Sequence, residues 1–222
     1  MFDNRGTGRS DKPDVEYSIG MMTDDVAGLL EAINIQKAHV LGFSMGGMIA
    51  QELALRHPEK VSSLILCGTS CGGLNSVQMK QETRKAVSTI MDPPPEMKGD
   101  EVMMLQMRLL YTPRYIQENK EDIIKAWMSM KYPTPPYVYE RQFQAVTNFD
   151  TYDRLPDIRV PTLVLTGEED VMIPPENSRI LADRIPDAQL RTFKDASHMF
   201  LEEVREQAVS VILNFLSRTP QD

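Results

Sequence analysis

Two short apolar runs enclose a helix-forming stretch between Lys37 and Gly68, and that order fixes the class of fold. Lys37 to Phe43, with Ala38-His39-Val40-Leu41 at its centre, and Val61 to Gly68, with Leu64-Ile65-Leu66-Cys67, have the length and texture of buried strands. Between them, Met48 to His57 carries apolar Met48, Ile49, Leu53 and Leu55 with helix-forming Gln51 and Glu52, and Pro58 stops it. Strand, helix and strand with short connections make a βαβ unit, so the two strands run parallel. Ser18 to Ile33 places Met22, Val26, Leu29, Leu30 and Ile33 at helical spacing ahead of it. The same texture returns after Arg159: a strand at Thr162 to Thr166, a helix from Pro175 to Ile185, a strand at Leu190 to Phe193 and an amphipathic helix from Glu203 to Leu216. The expected class is α/β with a mostly parallel sheet.

Residues 72–152 interrupt that pattern. They are rich in Met (79, 91, 97, 103, 104, 107, 128 and 130) and hold the only tryptophan, Trp127. Pro93, Pro113 and Pro133 cut them into helix-length pieces with no convincing strand. The organisation is therefore a core of residues 1–71 and 153–222 with a helical insertion at 72–152. Twenty-four Lys and Arg against 32 Asp and Glu leave a net charge of -8, which argues against a nucleic-acid binder or a basic membrane-surface protein. Cys67 and Cys71 are too few for a disulfide framework, and they read as small buried apolar residues. No apolar run approaches the ~20 residues that span a bilayer. The first residues have no apolar signal-peptide core. The expected location is the cytoplasm.

Gly42-Phe43-Ser44-Met45-Gly46 matches G-x-S-x-G between an expected strand and an expected helix. Reversing direction in so few residues strains the backbone at Ser44, and Gly42 and Gly46, lacking Cβ atoms, are expected to leave room for it. The serine oxygen then stands at a helix N-terminus, where developing negative charge is favoured. The backbone N–H of Met45 points into the same space and can support an oxyanion. A serine nucleophile needs a base. Of the three histidines, His39 lies inside the strand leading to Ser44, and His57 sits beside Pro58 at a helix end. His198 remains, in the loop between the last strand and the last helix, at the sheet end where open parallel sheets bind ligands. The base in turn needs an orienting carboxylate. Glu168, Glu169 and Asp170 all follow the Thr162 to Thr166 strand, and residue physics alone does not choose among them.

These segments together resemble the α/β-hydrolases with a helical cap, of the lactonase and esterase type. Gly42-Phe43-Ser44-Met45-Gly46-Gly47 is similar to that family's nucleophile elbow. Thr166-Gly167-Glu168-Glu169-Asp170 resembles its acid turn, which selects Asp170, and Ser197-His198 before Glu202-Glu203 resembles its histidine loop. Asp3 to Ser10 resembles the turn after the family's fourth strand, and with Met45 it is most similar to 3-oxoadipate enol-lactonases. The resemblance implies a serine hydrolase of esters, lactones or related carbonyl compounds, acting through an acyl-enzyme. Ser44 is the nucleophile, His198 the base, Asp170 the orienting acid and Met45 the oxyanion donor. No metal or organic cofactor is implied. Epoxide hydrolases and dehalogenases of the fold use a carboxylate nucleophile, so Ser44 speaks against both. Carbon–carbon hydrolases and cofactor-free haloperoxidases share the triad, and a ligand-binding homologue without turnover is a further alternative.

The insertion is similar to the family's cap, and Trp127, Tyr132, Tyr137 and Phe143 are its candidates for lining an apolar small-molecule pocket. The resemblance begins at the end of the fourth strand. It therefore implies an N-terminally incomplete core, with Met1 an internal methionine. No His-Gly pair, the source of the family's second oxyanion N–H, occurs in the sequence. The strand before Ser44 is left with an open edge, on which two copies could pair as a homodimer.

Overall fold

A computed structural model describes residues 2–219. Met1, and with it the expectation placed on it, lies outside the described residues. Four parallel strands form one sheet in the order β1 (Ala38–Phe43), β2 (Val61–Cys67), β3 (Thr162–Gly167) and β4 (Gln189–Phe193). Helix α1 (Ile19–Ala32) precedes β1, α2 (Met45–Arg56) joins β1 to β2, and α7 (Glu176–Arg184) joins β3 to β4. The last strand is followed by α8 (Phe200–Glu203) and α9 (Arg205–Leu216). Between β2 and β3 run α3 (Gln81–Met91), α4 (Gly99–Leu110), α5 (Pro113–Met128) and α6 (Pro136–Thr147).

The central strands read as continuous apolar runs because both of their faces are covered. Successive side chains alternate between faces, so Leu64 and Leu66 of β2 pack with α1, α2 and α7, while Ile65 and Cys67 face Phe200, Ala208 and Phe215 of the last two helices. Edge strand β1 differs: Leu41 on it stays 46% exposed. The segment Asp3 to Ser10 does not lie along that edge. It is tied by Arg5 to Asp25 of α1, at 2.5 Å, and packs on Tyr17 and Val138. Among the described residues no helix is long and apolar enough to cross a membrane.

Two element ends depart from expectation. Helix α2 starts at Met45 rather than Met48, directly on the heels of Ser44. The final helix is broken at Val204, giving α8 and α9 where one helix from Glu203 was expected. Phe200, fully buried and stacked on Phe193, starts the extra turn.

The helical insertion is fastened at its base. Gly72 and Asp150 form an antiparallel bridge where the chain leaves and re-enters the core, and Thr151 N–H donates to the Cys71 carbonyl at 2.9 Å. Gln51 of α2, fully buried, ties both crossings: its Nε2 donates to the Ser70 carbonyl at 3.0 Å and its Oε1 accepts from the Thr151 hydroxyl at 2.8 Å. Inside the insertion, Met107, Tyr111, Ile116 and Ile123 make a separate small core that reaches Met199.

Candidate active site

Ser44 sits at the C-terminal end of β1 with φ 53° and ψ -121°. A non-glycine residue at positive φ is costly, about 1–3 kcal/mol, and persists only where the surroundings hold it. Here they do: Ser44 N–H donates to the Cys67 carbonyl of β2 and Gly47 N–H donates to the Ser44 carbonyl, both at 2.9 Å. Met45 is the first residue of α2, so its N–H has no carbonyl one turn back to serve.

The motif's glycines do not share one role. A Cβ at Gly42 would overlap the Gly46 carbonyl and stand 2.7 Å from Gly47 Cα. At Gly46 a Cβ would meet nothing within 4 Å. The expectation that Gly46 makes room is therefore corrected. The second crowded glycine is Gly47, whose Cβ would lie 2.6 Å from Cβ of buried Thr69.

Of the three acids, Asp170 is the one whose carboxylate reaches His198. Its side chain is fully buried, and Oδ2 lies 2.7 Å from Nδ1 of His198. The other oxygen accepts from the N–H groups of Met172 at 2.9 Å and Ile173 at 2.8 Å. This is the local turn that a short Asp side chain makes with its own following backbone. Glu168 and Glu169 are exposed, and Glu168 accepts instead from the Thr192 hydroxyl.

The His198 ring is buried and leans on Phe43, with centroids 4.9 Å apart, which brings it against the residue before Ser44. A Cβ on Gly68, at the end of β2, would touch both Asp170 Oδ2 and His198 Nδ1 at 3.5 Å. The ends of β1, β2 and β3 and the loop after β4 thus meet at one point. With Nδ1 on Asp170, the opposite ring nitrogen is the one left for proton exchange. His39 and His57 lie elsewhere: His39 Nδ1 is 2.8 Å from the Ser63 hydroxyl, and His57 closes α2 with its ring near Asp24 and Glu59.

An apolar cleft of about 1020 Å³ opens between α3, α6 and the core. Its wall includes Met48, one turn along α2 from Ser44, and Met172 and Ile173, whose N–H groups hold Asp170. Of the four aromatic candidates, Phe143 lines it. Trp127 instead packs in the insertion's own core, Tyr132 is 55% exposed, and Tyr137 packs on the main core with its hydroxyl on the Lys12 carbonyl. Two contributors escaped the sequence reading: Gln51, hidden as a polar residue inside a buried helix face, and Glu203, announced only as one of two adjacent acids after the histidine.

The chain is 32% identical over 225 residues to the provisionally named carbamate hydrolase RutD of Azorhizobium caulinodans, covering all of this chain and 82% of that protein. Its fold superposes on the enol-lactonase of Burkholderia xenovorans LB400 with a TM-score of 0.82 at 25% identity, covering 97% of this chain and 79% of that one. It superposes on Est816, described as an N-acyl homoserine lactone degrading enzyme, with a TM-score of 0.77 at 31% identity, covering 96% and 80%. Residues 1–203 match the family described as the alpha/beta hydrolase fold. With a parallel sheet flanked by helices and hydrolases among its relatives, the chain belongs to the α/β-hydrolase family.

Proposed function

We propose that this hydrolase cleaves carbonyl substrates, esters and lactones first among them, with Ser44 as nucleophile. His198 accepts the serine proton and returns it to the leaving group, while Asp170 holds the imidazole in the tautomer that can do so. Attack forms a tetrahedral oxyanion beside the Met45 N–H, and loss of the alcohol leaves an acyl group on Ser44 that water then removes. The buried 2.7 Å contact between Asp170 and His198, beside a serine held at positive φ, is the observation that carries this reading. A plain surface loop has no need of either. The cleft that opens one helical turn beyond Ser44 supports an apolar acyl or ring portion as the bulk of the substrate. The relatives' names, carbamate hydrolase and lactone-degrading enzymes, fall within the same carbonyl chemistry.

A fluorophosphonate probe tests the nucleophile, because it labels only an activated serine. Labelling confined to Ser44, lost together with ester hydrolysis in Ser44→Ala, is the expected result. Labelling at a different serine, or full hydrolysis by Ser44→Ala, rejects the assignment.

A further inference from the structure

The backbone on both sides of His198 is tied to the insertion, directly on one side and through Glu203 of α8 on the other. Ser197 N–H donates to Oε2 of Glu203 at 2.5 Å, and Met199 N–H donates to the Leu110 carbonyl at 2.9 Å. The other oxygen of Glu203 accepts from both the N–H and the hydroxyl of Thr112, at 2.7 and 2.8 Å. Beside them the Tyr111 hydroxyl donates to Oε2 of Glu202 at 2.8 Å. Leu110, Tyr111 and Thr112 are consecutive and form the junction of α4 and α5. One short segment of the insertion therefore engages Met199 directly and Ser197 through Glu203. From the core, the Ser197 hydroxyl reaches the Glu169 carbonyl at a longer 3.2 Å.

We propose that Glu203 is a positioning residue whose carboxylate latches Thr112 to Ser197, so that the seating of the insertion sets the orientation of His198. The proposal rests on His198 being the base. A carboxylate can accept several N–H and O–H donors at once, and charge makes those bonds about twice as strong as neutral ones. Burial first, and then the bond to Glu202, push the Tyr111 hydroxyl far above its ordinary titration range, so it remains a donor at any working pH. Were the α4–α5 junction to lift, the acceptor of Met199 N–H would leave with it and Glu203 would lose two of its three partners. His198 would then keep Asp170 and Phe43, lose the pin at Met199, and be left at Ser197 with a Glu203 carboxylate no longer anchored to the insertion. Catalytic geometry is unforgiving here, since a misplacement of ~1 Å costs on the order of 10² in rate.

Glu203→Gln tests the latch because the amide keeps the shape but offers one acceptor oxygen. It cannot accept from Ser197 and Thr112 together. The expected loss in kcat for a small nitrophenyl ester is about 10²-fold, with KM changed less than about threefold. Thr112→Val, which removes the hydroxyl bond to Glu203 and the 3.3 Å cap on Tyr115 N–H but keeps the Thr112 N–H bond to Glu203, is expected to lose less. The double variant is expected to be no worse than Glu203→Gln alone, because both changes cut one connection. Amide deuterium exchange at Ser197 and Met199, followed in the resting protein, is expected to quicken in Glu203→Gln. A folded Glu203→Gln with wild-type kcat and wild-type exchange at those amides overturns the proposal. So does a loss of activity that merely tracks the fraction of unfolded protein. If Glu203→Gln does not fold, Thr112→Val decides: lower kcat with faster Ser197 exchange supports the latch, and neither change rejects it. Full hydrolysis by His198→Gln would instead reject the role of the base, while the exchange measurements still judge the latch itself.

Discussion

Substituting the two glycines of the elbow motif one at a time should move stability in opposite directions. A methyl group on Gly42 is pressed into the backbone of the turn, 2.6 Å from the Gly46 carbonyl carbon and 2.7 Å from Gly47 Cα. Carbon contacts settle at ~3.5–4.0 Å, so the turn must open by roughly 1 Å. No flexible side chain is available to yield. Overpacking of this kind costs ~1–3 kcal/mol, which for a chain of this size lowers the melting temperature by about 2–12 °C. Opening the turn also shifts Ser44, and ~1 Å of displacement costs on the order of 10² in rate. Gly46, by contrast, has open space where its Cβ would go and lies in the first turn of α2. Alanine there restricts the unfolded chain and suits the helix, for a gain of ~0.5–1 kcal/mol, or about 1–4 °C. Thermal melts by far-UV circular dichroism read the first effect, and the rate of fluorophosphonate labelling reads the second. If Gly46→Ala melts below Gly42→Ala, or if Gly42→Ala melts and labels like the parent, the account of the elbow is wrong.

Asp170→Asn should reduce kcat by on the order of 10⁴, as a carboxylate that fixes a tautomer cannot be replaced by an amide. Glu168→Gln and Glu169→Gln, both at exposed side chains, should change it little, and steady-state kinetics on the three variants checks the choice of acid. Ser44→Gly should abolish hydrolysis yet raise the melting temperature, because glycine relieves the positive φ at that position, worth ~1–3 kcal/mol; a lower melt would remove strain from the argument. Burial pushes the thiols of Cys67 and Cys71 up to about 12 and about 11. The unfolded chain therefore loses these protons first, and stability should decline as pH rises above ~8.5 toward those values. Both thiols should resist iodoacetamide in the native protein and react once it is unfolded. Phe143→Ala should alter the preference among acyl chain lengths more than Trp127→Ala, since only Phe143 lines the cleft. A profile changed more by Trp127→Ala would move the substrate elsewhere. Leu41→Lys, on the open edge of β1, should weaken any self-association of the chain, as read by sedimentation.

The strands were legible because both faces of a central parallel strand are apolar and short runs such as Leu64-Ile65-Leu66-Cys67 have few other uses. The elbow was legible as a motif, but its packing was not. Which glycine is crowded depends on Thr69, brought to Gly47 from beyond β2 by the parallel pairing. Three adjacent acids could not be told apart by composition, because what singles out Asp170 is a reach of one carboxylate oxygen to its own backbone two and three residues ahead. The aromatics of the insertion failed as a guide to the cleft for a similar reason. Trp127 and Phe143 have equal claim by residue type, and only the packing of α5 on α4, and of α6 beside α3, separates them. Glu203 was hidden because Thr112, the partner that ties it to the insertion, lies 91 residues earlier in the chain.

The fastening at the base of the insertion has an evolutionary and an engineering consequence. Gln51, Ser70, Cys71 and Thr151 close the crossing using backbone carbonyls, one amide and one hydroxyl, and none of them belongs to residues 73–149. The segment between is thus a cassette: its helices can be exchanged for others without disturbing the socket that receives them. A replacement must rebuild the contacts made elsewhere, among them the Tyr137 hydroxyl on the Lys12 carbonyl and the Val77 backbone on Asn177, and on the far side it must present a backbone carbonyl to Met199 and a hydroxyl with its N–H to Glu203. A grafted cassette that fits the socket but lacks those far-side partners would fold, bind and turn over slowly. Diversification of substrate range along this lineage would then be expected to leave the α4–α5 junction nearly untouched while everything around it varies.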